Sequence, residues 1–312
     1  MKTILAVDST SEILSVSLSE GHIILSEISD DKSIKHMVNI ISDIDHVLKK
    51  ANKAIKEIEL FGLNLGPGDF TGGRIGISVV KILSMLSGNP VYGFNSLDVF
   101  SVGAMLKNID SISKKIHDSD GIYIIPVMDV RNSELYCGIY EAGINVKEDK
   151  VIFSFDFEGK KYFLNKTYDN FLIKSDDFNK KISQLIKQID ILDKCGCSSC
   201  SQIFNNVNSH EDYKRGKIQN NKNSRGHKRN SFILTANAIK TYKGLFENMK
   251  TEILSNCTKT DIIIDEKNIN PSSEFINFLA YYNDSYSLKS LPIVPVYVRD
   301  FVAFEKNNTR SL

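Results

Sequence analysis

The sequence predicts an α/β chain of two lobes, each built on a mixed sheet with helices laid against it. Three observations carry this expectation. The opening thirty residues read as three strands joined by tight turns, the same layout returns around Asp129, and strand-length apolar runs alternate with helical periods between and after the two copies. A chain of 312 residues, 42% apolar and 25% charged, has the material for two such lobes.

The first strand, "KTILAVD", ends on Asp8; "STSE" turns, "ILSVSLS" is the second strand, "EGH" breaks it, and "IILSEI" is the third. In the second copy "IYIIPVMD" ends on Asp129, "VRNS" turns, and "ELYCGIYEAG" runs on to Gly143. The interval from Asp8 to Gly21 differs from that between Asp129 and Gly143 by one inserted residue, the mark of an internal repeat. Residues 33 to 51 follow a helical period through Ile34, Met37, Val38, Ile40, Ile41, Ile44, Val47, Leu48 and Ala51, an apolar arc wider than the ~100° one core face needs. "EIELFGLNL" is a buried strand, "GPGDFTGGRIG" over residues 66 to 76 a glycine loop, and the helix after it runs to about Leu86, where "SGNP" stops it. "VYGF" then gives a strand and "NSLDVFSVGAMLK" a helix capped by Asn95 or Ser96.

Residues 155 to 270 are less regular. "ILTANAIKTYKGLFENMKTEIL" is expected to be helical, "DIIID" a strand and "SEFINFLAYY" a short helix, before the chain closes on "LPIVPVYVRDFVAFEK". Between His210 and Asn230 seven Lys and Arg residues stand against two acids, with Tyr213 and Ile218 the strongly apolar residues, a composition that cannot bury a core. The expected division is therefore an N-terminal lobe over 1–109, a C-terminal lobe over 110–194 and 232–312, and a basic, exposed insertion over 195–231.

Composition narrows the function. A formal charge of +1 gives no global attraction to nucleic acid or membrane. No window has the apolar length of a membrane span, and Asp8 interrupts the opening before a signal-peptide core forms, so a cytoplasmic protein is expected. Five cysteines, three of them in "CGCSSC", match a reducing compartment better than a disulfide scaffold.

The residues that bear chemistry are few. The glycine loop follows a strand and opens a helix, as a phosphate cradle does, but it lacks the Lys-Ser/Thr of a Walker loop and the G-x-G-x-x-G spacing. The plainer reading is a strand-to-helix turn capped by Asp69 or Thr71. His36 and His46 would differ by about 80° and ~15 Å on one helix and cannot share an ion, and Ile40 stands where a second chelating His would be. Cys195, Cys197 and Cys200 with His210 have an unusual spacing for zinc. Asp8 and Asp129 end strands beside polar turns, where a phosphate or magnesium ligand would sit; no Ser/His/Asp or Cys/His set accompanies them. The helix after the loop, by contrast, is apolar around most of its girth through Ile75, Ile77, Val79, Val80, Ile82, Leu83, Met85 and Leu86, and must be covered on two sides. Either the two helices cover one another, or they form an intermolecular surface that Gly72, Gly73 and Gly76 would let a partner helix approach.

Taken in order, "ILAVDST", a helix with one His near its start, "GPGDFTGGRIG", "SLDVFS", "PVMDVRNSELYCGIY" and "PVYVRDFVAFEK" resemble the TsaB (YeaZ) family. The family's usual loop reads G-P-G-S-F-T-G-L-R-I-G, so this chain departs at Asp69 and Gly73; the resemblance covers residues 1 to 140 and about the last twenty. It implies an actin-like ATPase (ASKHA) fold of two ribonuclease-H-like lobes. It also implies a non-catalytic part in making N6-threonylcarbamoyladenosine at position 37 of tRNAs that read codons beginning with A. The implied partners are the transferase subunit TsaD, which carries the H-x-x-x-H metal site, the small ATPase TsaE, a second copy of the chain, and tRNA through the complex; no membrane, cofactor or metal is implied. The first two helices would grip TsaD. Periodicity and resemblance together nominate Met37, Ile40, Ile44, Gly72, Arg74, Ile75, Gly76, Val79 and Leu83 for that contact, with Asp8 and Asp129 as a possible vestigial nucleotide site. On this expectation Gly76→Arg breaks the contact and leaves the chain folded. The competing expectations are an active actin-like kinase or acyltransferase with Asp8 and Asp129 around magnesium, and an RNA-binding protein using Lys214, Arg215, Lys217, Lys222, Arg225, Lys228 and Arg229.

Overall fold

Strands β1 (Thr3–Asp8), β2 (Leu14–Glu20) and β3 (Ile23–Asp30) form an antiparallel meander, and β4 (Leu60–Gly66) and β5 (Val91–Asn95) join the other edge of β1 in parallel, giving the order β3-β2-β1-β4-β5. The computed structural model describes residues 1–30, 36–117, 121–144, 151–195, 229–256, 260–267, 270, 272–285 and 292–298. Every residue of β1 and β4 is buried, which fits near-continuous apolar strands covered on both faces.

One face of this sheet carries α1 (His36–Lys50) and α2 (Phe70–Ser87), side by side. Ile40, Ile44, Val47 and Leu48 of α1 and Ile77 and Val80 of α2 enter one core with Leu5, Val16 and Phe61. Asp69 caps α2 by accepting from Gly72 N at 2.6 Å, and Gly88, with φ 72°, ends it in the left-handed conformation.

Helix α3 (Ser96–Lys107) follows β5 directly and is capped by Asn95, whose side chain accepts from Leu97 N. It is nearly all buried because it lies between two sheets, touching β4 and β5 of the first and β6 (Gly121–Asp129) and β7 (Glu134–Ile144) of the second. A short α4 (Ile109–His117) leads into that second sheet, completed by β8 (Val151–Phe157), β9 (Lys160–Lys174), β10 (Asn230–Thr235) and β11 (Thr260–Ile264). Its order is β11-β10-β6-β7-β9-β8. The meander β6-β7-β9 and the parallel pair β10-β11 repeat the first sheet strand for strand, and β8 is an added edge. The repeat read around Asp8 and Asp129 thus extends to a whole lobe. Helices α5 (Ser175–Cys195), α6 (Ala238–Thr241) and α7 (Lys243–Asn256) cover the far face, where Phe178, Ile182 and Ile186 meet Phe246 and Met249.

Three features differ from the sequence reading. "ILT", the opening of the expected helix, belongs instead to strand β10: Ile233 and Leu234 are sealed with Phe232 between β6 and β11, and tertiary burial overrides the helical period that begins after them. The β8-β9 hairpin and the long α5 fill a region that showed little pattern. Helix α8 (Ser273–Ser285), which the expected division gives to the second lobe, lies against β1, β2 and β4 of the first sheet. There Ser273 shares a 2.7 Å hydrogen bond with Ser15, and Asn277 Nδ2 donates to Ser17 Oγ at 2.6 Å. The 195–231 insertion beyond Cys195, up to Lys228, falls outside the described residues, as do the expectations for Cys197, Cys200, His210 and most of the basic run.

Candidate functional site

The glycine loop turns its backbone toward the chain's own β1-β2 turn. Asp69 N donates to Thr10 O at 2.5 Å, and Ser9 Oγ donates to Gly72 O at 2.8 Å. A Cβ on Gly68 would stand 2.1 Å from Thr10 O, one on Gly72 2.2 Å from Ser9 O, and one on Gly76 2.2 Å from Ser9 Oγ. The glycines are there so that α2 and its entry can sit on Ser9 and Thr10. This corrects the expectation that Gly72 and Gly76 admit a partner helix: both are buried, and the close approach they permit is internal. For the same reason an arginine at position 76 has no room within the folded lobe.

Asp8 closes β1 in a fully buried position. Its Oδ1 accepts from Thr10 N at 2.9 Å and Thr10 Oγ1 at 2.8 Å, and its Oδ2 from Asn64 Nδ2 at 2.8 Å. Burial pushes its pKa up from the ordinary carboxylate value, and these three hydrogen bonds pull against that rise. Asn64 is fixed in turn by Ser96 Oγ and Gly66 N, which both donate to its Oδ1. The arrangement ties β1, β4 and α3 together and spends the carboxylate on the chain itself. Asp129 has the same place in the second sheet but a different setting: it is half-buried, its Oδ1 accepts from Arg131 N at 2.9 Å, and its own N donates to Asn237 Oδ1 at 2.9 Å. Among the described residues no cluster of three or more His, Cys, Asp and Glu side chains is placed to hold a metal ion.

Among the described residues, the outer side of α1 and α2 holds the most exposed apolar side chains of the helices. Met85 is 82% exposed, Leu86 81%, Ile41 58% and Ile82 57%. Isolated exposed apolar residues are ordinary, whereas several on one side of a helix, as Ile82, Met85 and Leu86 are on α2, are the usual mark of a docking surface. Two nominated residues belong elsewhere: Ile40 and Ile44 are core side chains, because the α1 face that carries them is the one laid on the sheet. Ile75, Val79 and Leu83 are half-buried against that core, and Arg74 is exposed. Met37 lies on α1. Sequence reasoning counted Ile41, Ile82, Met85 and Leu86 as apolar without identifying them as the outward set; the signal was the Gly72 and Gly76 pair, which marks the inward side one turn apart.

At the start of α2 a second feature joins this face. Residues 292–298 return to the glycine loop, Val296 N donating to Leu65 O at 2.8 Å. Arg74 stacks its guanidinium 3.8 Å from the Phe70 ring centroid, and its Nε donates to Tyr297 Oη at 2.9 Å. The Phe70 and Tyr297 rings are 5.6 Å apart. A further polar group, unforeseen in the sequence, joins α3 to the second sheet: Tyr140 Oη donates to Asp98 Oδ1 at 2.7 Å, and Lys166 Nζ lies 3.0 Å from the same oxygen.

Comparison with known proteins gives this geometry a lineage. A family model described as "TsaD: tRNA N6-adenosine threonylcarbamoyltransferase" matches residues 24–157. The chain is 24% identical over 139 residues to the tRNA threonylcarbamoyladenosine biosynthesis protein TsaB of Bacillus subtilis (strain 168), covering 45% of this chain and 55% of the relative. It is 31% identical over 104 residues to the TsaB protein of Buchnera aphidicola subsp. Schizaphis graminum, covering 33% and 49%. Among solved structures, YeaZ from Pseudomonas aeruginosa superposes with a TM-score of 0.57 at 16% identity, over 95% of this chain and all of that one. Over the matched residues the chain is similar to TsaB (YeaZ) proteins. It spans about half the length of the curated relatives it matches. The fold is that of the YeaZ structure, and the stretch matched by the transferase family model starts in β3 and runs through α1, α2 and α3 to β8.

Proposed function

We propose that this chain is a non-catalytic subunit for N6-threonylcarbamoyladenosine formation at position 37 of tRNAs that read codons beginning with A. It acts by holding a TsaD-type transferase subunit on the outer face of α1 and α2. A TsaE-type ATPase and the tRNA join through that complex, and a second copy of the chain competes for the same face. The observation that carries this reading is the exposure of Ile82, Met85 and Leu86 on one side of α2, with Ile41 exposed on α1, apolar surface of the kind a partner protein covers. Two further points support it. The curated relatives it matches are named for this biosynthesis. Asp8, the residue best placed by topology to serve a nucleotide's metal, has its carboxylate engaged by Thr10 and Asn64. The test is restoration of tRNA modification in cells lacking their own TsaB, together with co-purification of the transferase subunit. Failure of the wild-type chain in both would remove the proposal.

A further inference from the structure

We infer that Arg74 is a carboxylate receptor at one end of the docking face, and that the partner it fits is an acidic amphipathic helix of another protein; the inference rests on the docking-face reading above. Phe70, Arg74, Ser78, Ile82, Met85 and Leu86 are all exposed and lie on one side of α2. The side therefore runs from an aromatic and cationic end to an aliphatic one. At the first end the guanidinium is held on two sides, stacked over Phe70 and tied through Nε to Tyr297. Among the described residues its two terminal amino groups meet no acceptor, and they form a fixed planar pair of donors whose spacing matches the two oxygens of a carboxylate. Holding the fork before binding removes the entropy a free arginine would lose on docking.

Charge identifies the occupant. Among the described side chains of α1 and α2 the exposed charged groups are Lys49, Lys50, Arg74 and Lys81 against Asp45, and Asp45 is already paired with Lys49 at 2.6 Å. Helix α2 itself has no acidic residue, and its exposed N-cap Asp69 is engaged by Gly72 N. A second copy docked by the same face would set this cationic surface against itself, whereas a helix with Asp or Glu beside an apolar stripe satisfies both ends at once.

Calorimetric titration of the full chain with the transferase subunit encoded in the same genome, at low and high salt, tests this. Arg74→Gln is expected to weaken binding about ten- to a hundredfold and to flatten its salt dependence, with an unchanged melting temperature because Arg74 is exposed. Arg74→Lys keeps the charge without the planar fork and is expected to recover only a minor part of the loss. Wild-type affinity in Arg74→Lys, or in Arg74→Gln while Leu86→Asp abolishes binding, overturns the receptor and leaves the docking face standing. Wild-type affinity in Leu86→Asp as well brings down the docking-face reading itself. Dissociation of a homodimer by Arg74→Gln with no change toward the transferase subunit assigns the site to a second copy, and loss of binding to labelled tRNA with unchanged subunit affinity assigns it to RNA; either overturns the inference.

Discussion

Gly76 lies against Ser9 so closely that a Cβ added to it would stand 2.2 Å from the serine hydroxyl oxygen. Position 76 is thus a packing position of the lobe. Gly76→Ala is expected to cost about 1–3 kcal/mol through overpacking, and Gly76→Arg to prevent folding. Ser9→Ala in the Gly76→Ala background removes the obstructing oxygen and should recover much of the stability, a non-additive pair in chemical denaturation. Additive losses would mean that the two residues do not share this contact.

Met85→Asp and Leu86→Asp act in the opposite way. Both side chains are more than four-fifths exposed, so thermal stability should stay within about 0.5 kcal/mol of wild type while co-purification of the transferase subunit is lost. A variant that melts early would place these side chains in the core.

Asp8→Asn tests whether that carboxylate is structural. Asn64 presents its amide nitrogen to Asp8 Oδ2 and is held in that orientation by Ser96 and Gly66. An asparagine at position 8 sets one NH2 against another, and a loss of about 1–3 kcal/mol is expected. Unchanged stability with loss of activity would instead make Asp8 a chemical residue.

The same carboxylate gives a pH dependence. Burial raises its folded-state pKa, so the folded chain keeps a proton that the unfolded chain releases. Its stabilising contribution is complete below the unfolded value of about 4 and is lost as pH rises through the folded value. The stability difference between wild type and Asp8→Asn should therefore shrink with rising pH across that window; a difference that grows there would show a lowered pKa.

The bond from Tyr140 to Asp98 predicts a coupling between α3 and the second sheet. Tyr140 is wholly buried, and its hydroxyl has Asp98 as its short-range acceptor. Tyr140→Phe should cost about 1 kcal/mol, and its effect should be largely absent when Asp98 is already Ala, as read in a double-mutant cycle by urea unfolding.

Much of the first lobe was legible because its elements obey one period each. Strands β1 to β3 alternate between turns, α1 repeats every third or fourth residue, and Asp69 and Asn95 stand where helix caps belong. The second lobe was legible at β6 and β7 and then faded, for a physical reason: the β7-β9 pairing shifts register twice around Ile139, so no simple alternation survives along β9. On α2 the composition announced an extra surface but not its direction, since an apolar girth looks the same from every side. The direction is set by Ser9, a residue far off in sequence, through its contacts with Gly72 and Gly76. Tyr297 beside Arg74 could not be foreseen at all, because no local rule links positions on opposite sides of two lobes.

That last pairing has a consequence for how the protein comes into being. The hydrogen bond from Arg74 to Tyr297 closes over 223 residues of chain. While a ribosome is still translating the second sheet, α2 has already emerged with its stacked arginine only half held. That side of α2 reaches its finished form only after the second sheet has been made and Tyr297 has been delivered to Arg74.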